Sequence, residues 1–433
     1  MKITKINLSN FRGVESLSLK LHERLNVLFG MNGTGKSTIF YAVAIMLSWT
    51  IQRIKSIQSN GKDIPQLDIK NGSHRSSIEI FCSDNNREIF WRRTNHLEGY
   101  GLSEERSDFT HLNEYVKQIQ DEIAAQKEKI NLPLFVYYPV NRAVLDIPSQ
   151  IKTKHQFDLL AAYEDALTSG ANFRTFFEWF KDREDLENEN RKYIDALIKP
   201  EDYLTKPEDY VFPDPQLEAV RQALQEFLPE FKNINVRRNP ASRMVVTKNG
   251  EILEINQLSD GEKCLIAMIS DLARRLAIAN PKRDNPLEGK GIVLIDEIEL
   301  HLHPKWQRMI VSKLLEVFPN CQFIISTHSP NVITHVKPES LYLLEQSQGK
   351  INVSKPQESY GKTVERILED LMGLTTTRPD EVNVKLREIY DKIQQGNLDE
   401  AKQMIDSMRK IIAEDPELVK AEVLIKRKKI IGK

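Results

Sequence analysis

Cysteine is scarce. The chain of 433 residues has three, Cys82, Cys264 and Cys321, far apart and odd in number. They form neither a disulfide framework nor a metal-type pair, which favours a reducing cytosol. Charge of one sign is lacking too: 61 Lys and Arg stand against 62 Asp and Glu, a net charge of -1. No global attraction to nucleic acid or an anionic membrane follows, and only local patches could supply one. Long hydrophobic runs are absent, and "AVAIMLSW" at 42–49 is far too short to cross a bilayer. The opening "MKITKINLSNFRGV" has no apolar core and no small-residue cleavage site, so it does not read as a signal peptide. These absences predict a cytoplasmic protein whose membrane part, if any, belongs to another subunit. What is present, 40% hydrophobic and 28% charged residues, fits a globular protein with a real core. The length suggests roughly two to four structural units.

Hydrophobic periodicity orders the rest. "ITKINLSNF" alternates as a strand does, and "LNVLF" at 25–29 is a buried strand that runs into glycines. "TIFYAVAIMLSW" is apolar nearly all round, as a buried helix is. "SIEIFC" and "REIFWRR", with "SDNN" between, predict a hairpin. From 111 to 232 the chain reads as a mainly helical insertion, with Val116, Ile119 and Ile123 on one face. Within it the strand-like 133–140 is assigned to the same body as residues 1–110 and 233–350. Phe173, Phe176, Phe177 and Phe180 follow helical spacing and read as core, with a partner-docking face as the alternative. "NINVRR", "SRMVVTK" and "EILEI" are strand-like, and "LSDGEKCLIAMISDLARRLAIA" is a loop entering a long amphipathic helix. "GIVLIDE" and "CQFIIST" are buried strands flanking a helix with Ile310, Leu314 and Phe318 inward. The region 351–433 is helical, with Val364, Ile367, Leu368 and Leu371 on one face and a glycine in "QQGNLDEA" joining two further helices.

Residues 30–37 satisfy G-x-x-x-x-G-K-[ST] in the strand–loop–helix context that a phosphate-binding loop requires. Gly33 and Gly35 let backbone N–H groups turn inward at a helix N-terminus, a nest for an anion. Lys36 reaches the β- and γ-phosphates, and the Ser37 hydroxyl is a ligand for Mg²⁺. The nucleotide-binding set is Gly30, Asn32, Gly33, Gly35, Lys36, Ser37 and Thr38. "IVLIDEIE" supplies the second half: Asp296 would hold Mg²⁺, and Glu297 would polarise the attacking water as general base.

"QLSDGEK" at 257–263 resembles the signature motif of ABC-type ATPases, with "LSDGEK" where transporters carry LSGGQ. "STHSP" at 326–330 follows the next buried strand, and His328 matches that family's switch histidine, which contacts the γ-phosphate. The resemblance implies an α/β fold, an ABC-type head built on a P-loop sheet flanked by helices, here with a helical insertion and a helical C-terminal region. It also implies a homodimer or higher oligomer with two ATP molecules sandwiched between two heads, Ser259 and Gly261 donating to the γ-phosphate in trans. The family's glutamine loop has no clear equivalent. Asn141 and Arg142 in "FVYYPVNRA" stand where it would fall, and Gln150 and Gln156 are weaker candidates. Arg12 in "NFRG" is similar to the N-terminal arginine of SMC-like and RecF-like heads, which would touch nucleotide or brace the signature. "HLHP" at 301–304 has poor spacing for a metal pair and falls where the family places its D-loop. "RPDEVNVK" at 378–385 has the wrong acid spacing for a PD-(D/E)xK nuclease. The tail lacks the acidic clusters of a Toprim domain, so no intrinsic nuclease is expected. The basic "KRKK" at 426–429 reads as a solvated helix end.

"FVYYPVNRAVLDIP", "FDLLAAYEDALTSGANFRTFFEWFKDREDLENE", "YGKTVERILEDLMG" and "AEDPELVKAEVLIKRKKIIGK" are not generic ABC features. They resemble the PtuA ATPases of Septu antiphage systems and the ATPases encoded beside retron reverse transcriptases. That resemblance covers most of the chain. It implies a bacterial defence ATPase, a nucleotide-gated sensor working with a separate HNH nuclease. In retron-linked forms a reverse transcriptase and its RNA–DNA product are further partners. An SMC-like or RecF-like DNA repair ATPase would share every head motif but should show a long heptad coiled coil or a basic DNA groove, and the sequence shows neither. A transporter ATP-binding subunit would have a shorter interval than 36–258 between lysine and signature.

Overall fold

The computed structural model describes residues 1–99, 106–126, 130–140, 157–168, 173–197, 212–347 and 350–431. The chain divides into two compact units, Met1–Lys362 and Thr363–Lys433. Strands of the first unit are β1 (Lys2–Phe11), β2 (Val14–Lys20), β3 (Leu25–Phe29), β4 (Arg75–Asp84), β5 (Arg87–His96), β6 (Leu134–Tyr138), β7 (Phe231–Arg237), β8 (Arg243–Lys248), β9 (Glu251–Glu254), β10 (Gly291–Ile295), β11 (Cys321–Ser326), β12 (Leu341–Ser347) and β13 (Lys350–Ser354). Its helices are α1 (Lys36–Lys55), α2 (Thr110–Gln126), α3 (Phe173–Leu197), α4 (Pro215–Phe227), α5 (Asp260–Ala279), α6 (Pro304–Val317) and the single turn α7 (Pro330–Ile333). Among the described residues, no helix is long and apolar enough to cross a membrane.

A six-stranded sheet ordered β13-β12-β3-β11-β10-β6 forms the centre. Every residue of β3, β6, β10 and β11 is buried, as expected of parallel strands covered on both faces. β11 lies between β3 and β10. Val27 pairs with Ile325, and Ile325 pairs with Ile295, so the carboxyl ends of three strands stand abreast. That edge of a parallel sheet is where ligands bind. β6, from the stretch "LFVYY", pairs in parallel with β10.

An antiparallel sheet, β2-β1-β4-β5, packs beside this centre, and a β11 side chain bonds directly to its first strand. Gln322 of β11 accepts the Ile3 N–H and donates to the Ile3 carbonyl, both at 2.7 Å. The β4–β5 hairpin turns on Asn85 and Asn86, both left-handed, the conformation that suits the twist of a two-residue hairpin. The sheet β7-β8-β9 completes the strands.

One helix, α1, is as buried as its pattern suggests, and another, α5, is more so. α1 packs against α2, β4 and β6, and the Trp91 indole N–H donates to its Met46 carbonyl at 3.2 Å. α5 reads as amphipathic, yet every residue from 264 to 279 is buried, Asp271, Arg274 and Arg275 included. α3 and α4 pack on it, with Phe173, Phe176, Phe177 and Phe180 all buried. The phenylalanine stripe is therefore core and not a docking face.

In the second unit α8 (Val364–Arg366) leads into a π turn (Ile367–Leu371), followed by α9 (Asp380–Gln395), α10 (Leu398–Ile412) and α11 (Pro416–Ile431). The stripe expected over 364–371 is thus a short broken element, of which Ile367 alone is fully buried. Gly396, left-handed, ends α9 and turns the chain into α10. Leu386, Ile389, Ile393, Ala401, Ile405 and Met408, with Leu418, Ala421 and Ile425, make the core of this three-helix unit.

Candidate functional site

β3 delivers the chain to Gly30, where φ is +145°, and a Cβ there would sit 2.3 Å from the Leu344 carbonyl oxygen of β12. Only glycine lets the chain leave the sheet along this line. Gly33 and Gly35 are also left-handed, and Gly35 is the N-cap of α1. The first-turn amides at Lys36, Ser37 and Thr38 have no acceptor within the helix, so they present N–H groups and the positive end of the helix dipole. Asn32, Gly33 and Ser37 are exposed around this concavity.

Lys36 is buried and folds back over the loop. Its ammonium donates to the carbonyls of Gly30 at 2.9 Å and Met31 at 2.8 Å. Burial pulls its pKa below the ordinary lysine value, against the opposing pull of Asp296, Glu297 and Glu299.

Those acids come from the end of β10. Asp296 is buried, and its backbone N–H donates to the Tyr138 carbonyl at 2.9 Å. The Ser326 hydroxyl, at the end of β11, donates to Asp296 Oδ1 and accepts the Glu297 N–H at 2.7 Å. Glu297 is held at φ +48°, rare for a residue with a side chain and typical of strain kept at functional sites. The Thr327 N–H donates to the Leu28 carbonyl at 3.1 Å, tying the switch segment to the phosphate-loop strand. Glu299, which sequence reasoning missed, holds the same segment. Its Oε1 accepts the His328 N–H at 2.5 Å, and its Oε2 accepts the Thr327 hydroxyl at 2.8 Å.

The fold thus brings together the phosphate loop, Asp296, Glu297 and His328. Ser259 and Gly261 lie at the start of α5. Ser259 caps α5: its hydroxyl donates to Glu262 at 2.9 Å and its N–H donates to the same carboxylate at 2.9 Å. A Cβ on Gly261 would meet the His301 carbonyl at 2.3 Å, so the 301–303 turn rests on the signature. Beside them is a cleft of about 640 Å³ lined by Glu230, Leu302, His303, Lys305 and Trp306. Among the described residues, no group of three or more His, Cys, Asp or Glu could hold a metal ion. Arg12 pairs with Asp68 at 2.8 Å and stacks over the Tyr41 ring of α1 at 4.0 Å. Asn141 and Arg142 lie outside the described residues.

The residues present fit a magnesium nucleotide. The glycine cradle has room for no side chain at Gly30, and it opens on unpaired helix-terminal amides. A hydroxyl at Ser37 and a carboxylate at Asp296 are the hard oxygen donors that Mg²⁺ takes.

A β3–β11–β10 core with a glycine-rich phosphate-loop motif, an acidic pair and a histidine on adjacent strand ends, and with Ser259 capping α5, has the architecture of an ABC-type P-loop ATPase head. The family described as "AAA domain, putative AbiEii toxin, Type IV TA system" matches residues 25–334. The "Retron Ec83 probable ATPase" of Escherichia coli is 31% identical over 439 residues, covering 91% of this chain and 80% of that protein. The "Septu protein PtuA" of Bacillus thuringiensis is 25% identical, covering 87% of this chain and 85% of that one. Among solved structures, an SMC head bound to the C-winged helix domain of ScpA covers 82% of this chain and 98% of that chain, at 16% identity and a TM-score of 0.46. The chain belongs to the matched AAA-domain family, as an ATPase of the retron and Septu type.

Proposed function

We propose that this chain hydrolyses ATP at a site completed by a second copy of itself, and that the closed pair signals to a separate HNH nuclease in an antiphage complex. The observation that carries the first part is the split of motifs within one chain. The phosphate loop, Asp296, Glu297 and His328 meet at three adjacent strand ends, while Ser259 and Gly261 lie on the first turn of α5 against the 301–303 turn. In this reading the signature serves the phosphate loop of another copy.

Gly33, Gly35 and the first-turn amides of α1 receive the phosphates, with Gly30, Asn32 and Thr38 shaping the cradle. Lys36 exchanges the carbonyls of Gly30 and Met31 for the β- and γ-phosphates. Ser37 and Asp296 would hold Mg²⁺, which supplies charge neutralisation on the β- and γ-phosphate oxygens. Glu297 accepts the proton of the water that attacks the γ-phosphorus as the bond to the bridging oxygen breaks. His328 contacts the γ-phosphate, and Ser259 and Gly261 of the second copy close over it. Asn141 or Arg142 takes the sensing place of the glutamine loop, and Arg12 reaches nucleotide by leaving Asp68.

Membership of the retron and Septu type supports the defence role. The HNH nuclease, and in a retron-linked system the reverse transcriptase with its RNA–DNA product, are the partners this role requires. Glu297→Gln protein should run as an ATP-dependent dimer by light scattering, and unchanged hydrolysis would remove the general-base assignment. Tagged protein expressed with its neighbouring genes should bring down a nuclease. If none co-purifies and none is encoded beside it, the defence role loses its support.

A further inference from the structure

Behind the nucleotide site lies a fully buried ionic joint. Asp271, Arg274 and Arg275 of α5 are 0%, 2% and 1% exposed. Asp271 Oδ2 accepts from Arg275 Nε at 2.7 Å and from the Tyr138 hydroxyl at 3.0 Å, and Oδ1 accepts from Arg274 at 2.8 Å. One Arg275 nitrogen also donates to the carbonyls of Ala162 and Glu164, both at 2.8 Å. Two cations share one anion, and main-chain carbonyls take part of the excess charge.

Desolvating such a group costs more than its internal attraction often returns, and apolar residues of similar volume pack a helix as firmly. What an ionic joint adds is register. Its directional bonds tie one rotation and one axial position of α5 to Tyr138 and to the carbonyls of Ala162 and Glu164.

The joint touches two functional parts. Tyr138 ends β6: its carbonyl accepts the Asp296 N–H at 2.9 Å, and its hydroxyl reaches α5. Asp271 stands twelve residues after Ser259 on the same helix, about 18 Å along the axis at ~1.5 Å per residue. A displacement of the β6–β10 strand ends therefore passes to Asp271 and, along a rigid helix, to the signature.

We propose that Tyr138, Asp271 and Arg275 are positioning residues, which set the signature of one copy according to the state of that copy's own Asp296 site. This rests on the proposed nucleotide sandwich and adds the path by which each site governs the other. Tyr138→Phe removes one hydroxyl and leaves the β6–β10 pairing intact.

The test compares Glu297→Gln with Glu297→Gln/Tyr138→Phe. Affinity for a fluorescent ATP analogue is measured at a protein concentration below dimerisation, and the ATP-dependent dimer constant by analytical ultracentrifugation. Nucleotide affinity should stay within about twofold while the dimer constant weakens by about two- to thirtyfold, the usual span of coupling through a packed network. Equal loss of both would assign Tyr138 to the local support of Asp296 and overturn the proposal. No change in either would overturn it as well. A Glu297→Gln protein that binds ATP and never dimerises would instead sink the sandwich itself. Should Tyr138→Phe fail to fold by circular dichroism, Arg275→Lys gives the same comparison, since it keeps the charge and loses the fork that spans Asp271, Ala162 and Glu164.

Discussion

Glu299 holds His328 by its backbone, accepting the N–H at 2.5 Å while its second oxygen takes the Thr327 hydroxyl at 2.8 Å. The two bonds fix the switch segment from both sides of one peptide. Glu299→Gln keeps the length and removes the charge, so a charge-assisted bond becomes a neutral one and one acceptor oxygen becomes a donor. Stability should fall by about 1–2 kcal/mol. If His328 acts on the γ-phosphate as proposed, kcat should fall by about tenfold with KM nearly unchanged. Steady-state kinetics with a urea melt reads both, and a raised KM at constant kcat would assign Glu299 to nucleotide binding.

Lys36 gives a pH signature. Burial leaves its pKa below 10.5 despite three nearby carboxylates. Phosphates brought beside it favour the charged form and raise that pKa again. Between the lowered value and 10.5 the free protein carries fewer protons at this site than the complex. Nucleotide binding therefore takes up a proton in that window, and affinity falls as pH rises through the lowered value. Over the same window the nucleotide-free fold gains stability with rising pH, because the unfolded chain binds the extra proton. Calorimetry at alkaline pH in two buffers of different ionisation heat measures the uptake. Lys36→Arg, which stays charged, should abolish it, and buffer-independent heats for the unmodified protein would contradict the assignment.

The glycines of the phosphate loop are not equivalent. A Cβ on Gly30 meets the Leu344 carbonyl at 2.3 Å, whereas one on Gly33 meets nothing within 4 Å. Gly33→Ala should cost only the left-handed backbone penalty, about 1–2 kcal/mol. Gly30→Ala adds a clash with main chain that cannot rotate away, so its loss should be larger, about 3 kcal/mol or more. Thermal denaturation without nucleotide ranks the two. Equal losses would mean that β12 yields at Leu344.

Local placement was legible and pairing at a distance was not. The run at 30–37, Asp296, Glu297 and His328 each announce themselves by composition and flanking strand, and the fold puts them on neighbouring strand ends. Glu299 was hidden because an acid in a turn reads as solvated, and its two acceptors act on Thr327 and His328, 28 and 29 residues away in sequence. The one available signal was its position, the third residue after Asp296. The α5 stripe failed for a related reason: Asp271, Arg274 and Arg275 look like a solvent face until Tyr138 and two carbonyls arrive from elsewhere in the chain. At 364–371 apolar spacing suggested a continuous helix, but the element breaks into a π turn and then a left-handed Gly373.

Glu297 joins strain to chemistry. Its φ of +48° places a side chain in the left-handed region, and its N–H is fixed by Ser326 at 2.7 Å. Holding a non-glycine residue there costs about 1–2 kcal/mol. Glu297→Gly removes that strain and adds unfolded-state entropy of about 0.5–1 kcal/mol, so net stability should hold or rise by up to about 1.5 kcal/mol. Hydrolysis should fall by about 10²-fold or more, as expected when a general base is lost. Melting temperature and single-turnover hydrolysis measured on the same preparation decide it. A destabilised variant would show that the Glu297 side chain supports the fold, and retained turnover would move the base to another residue.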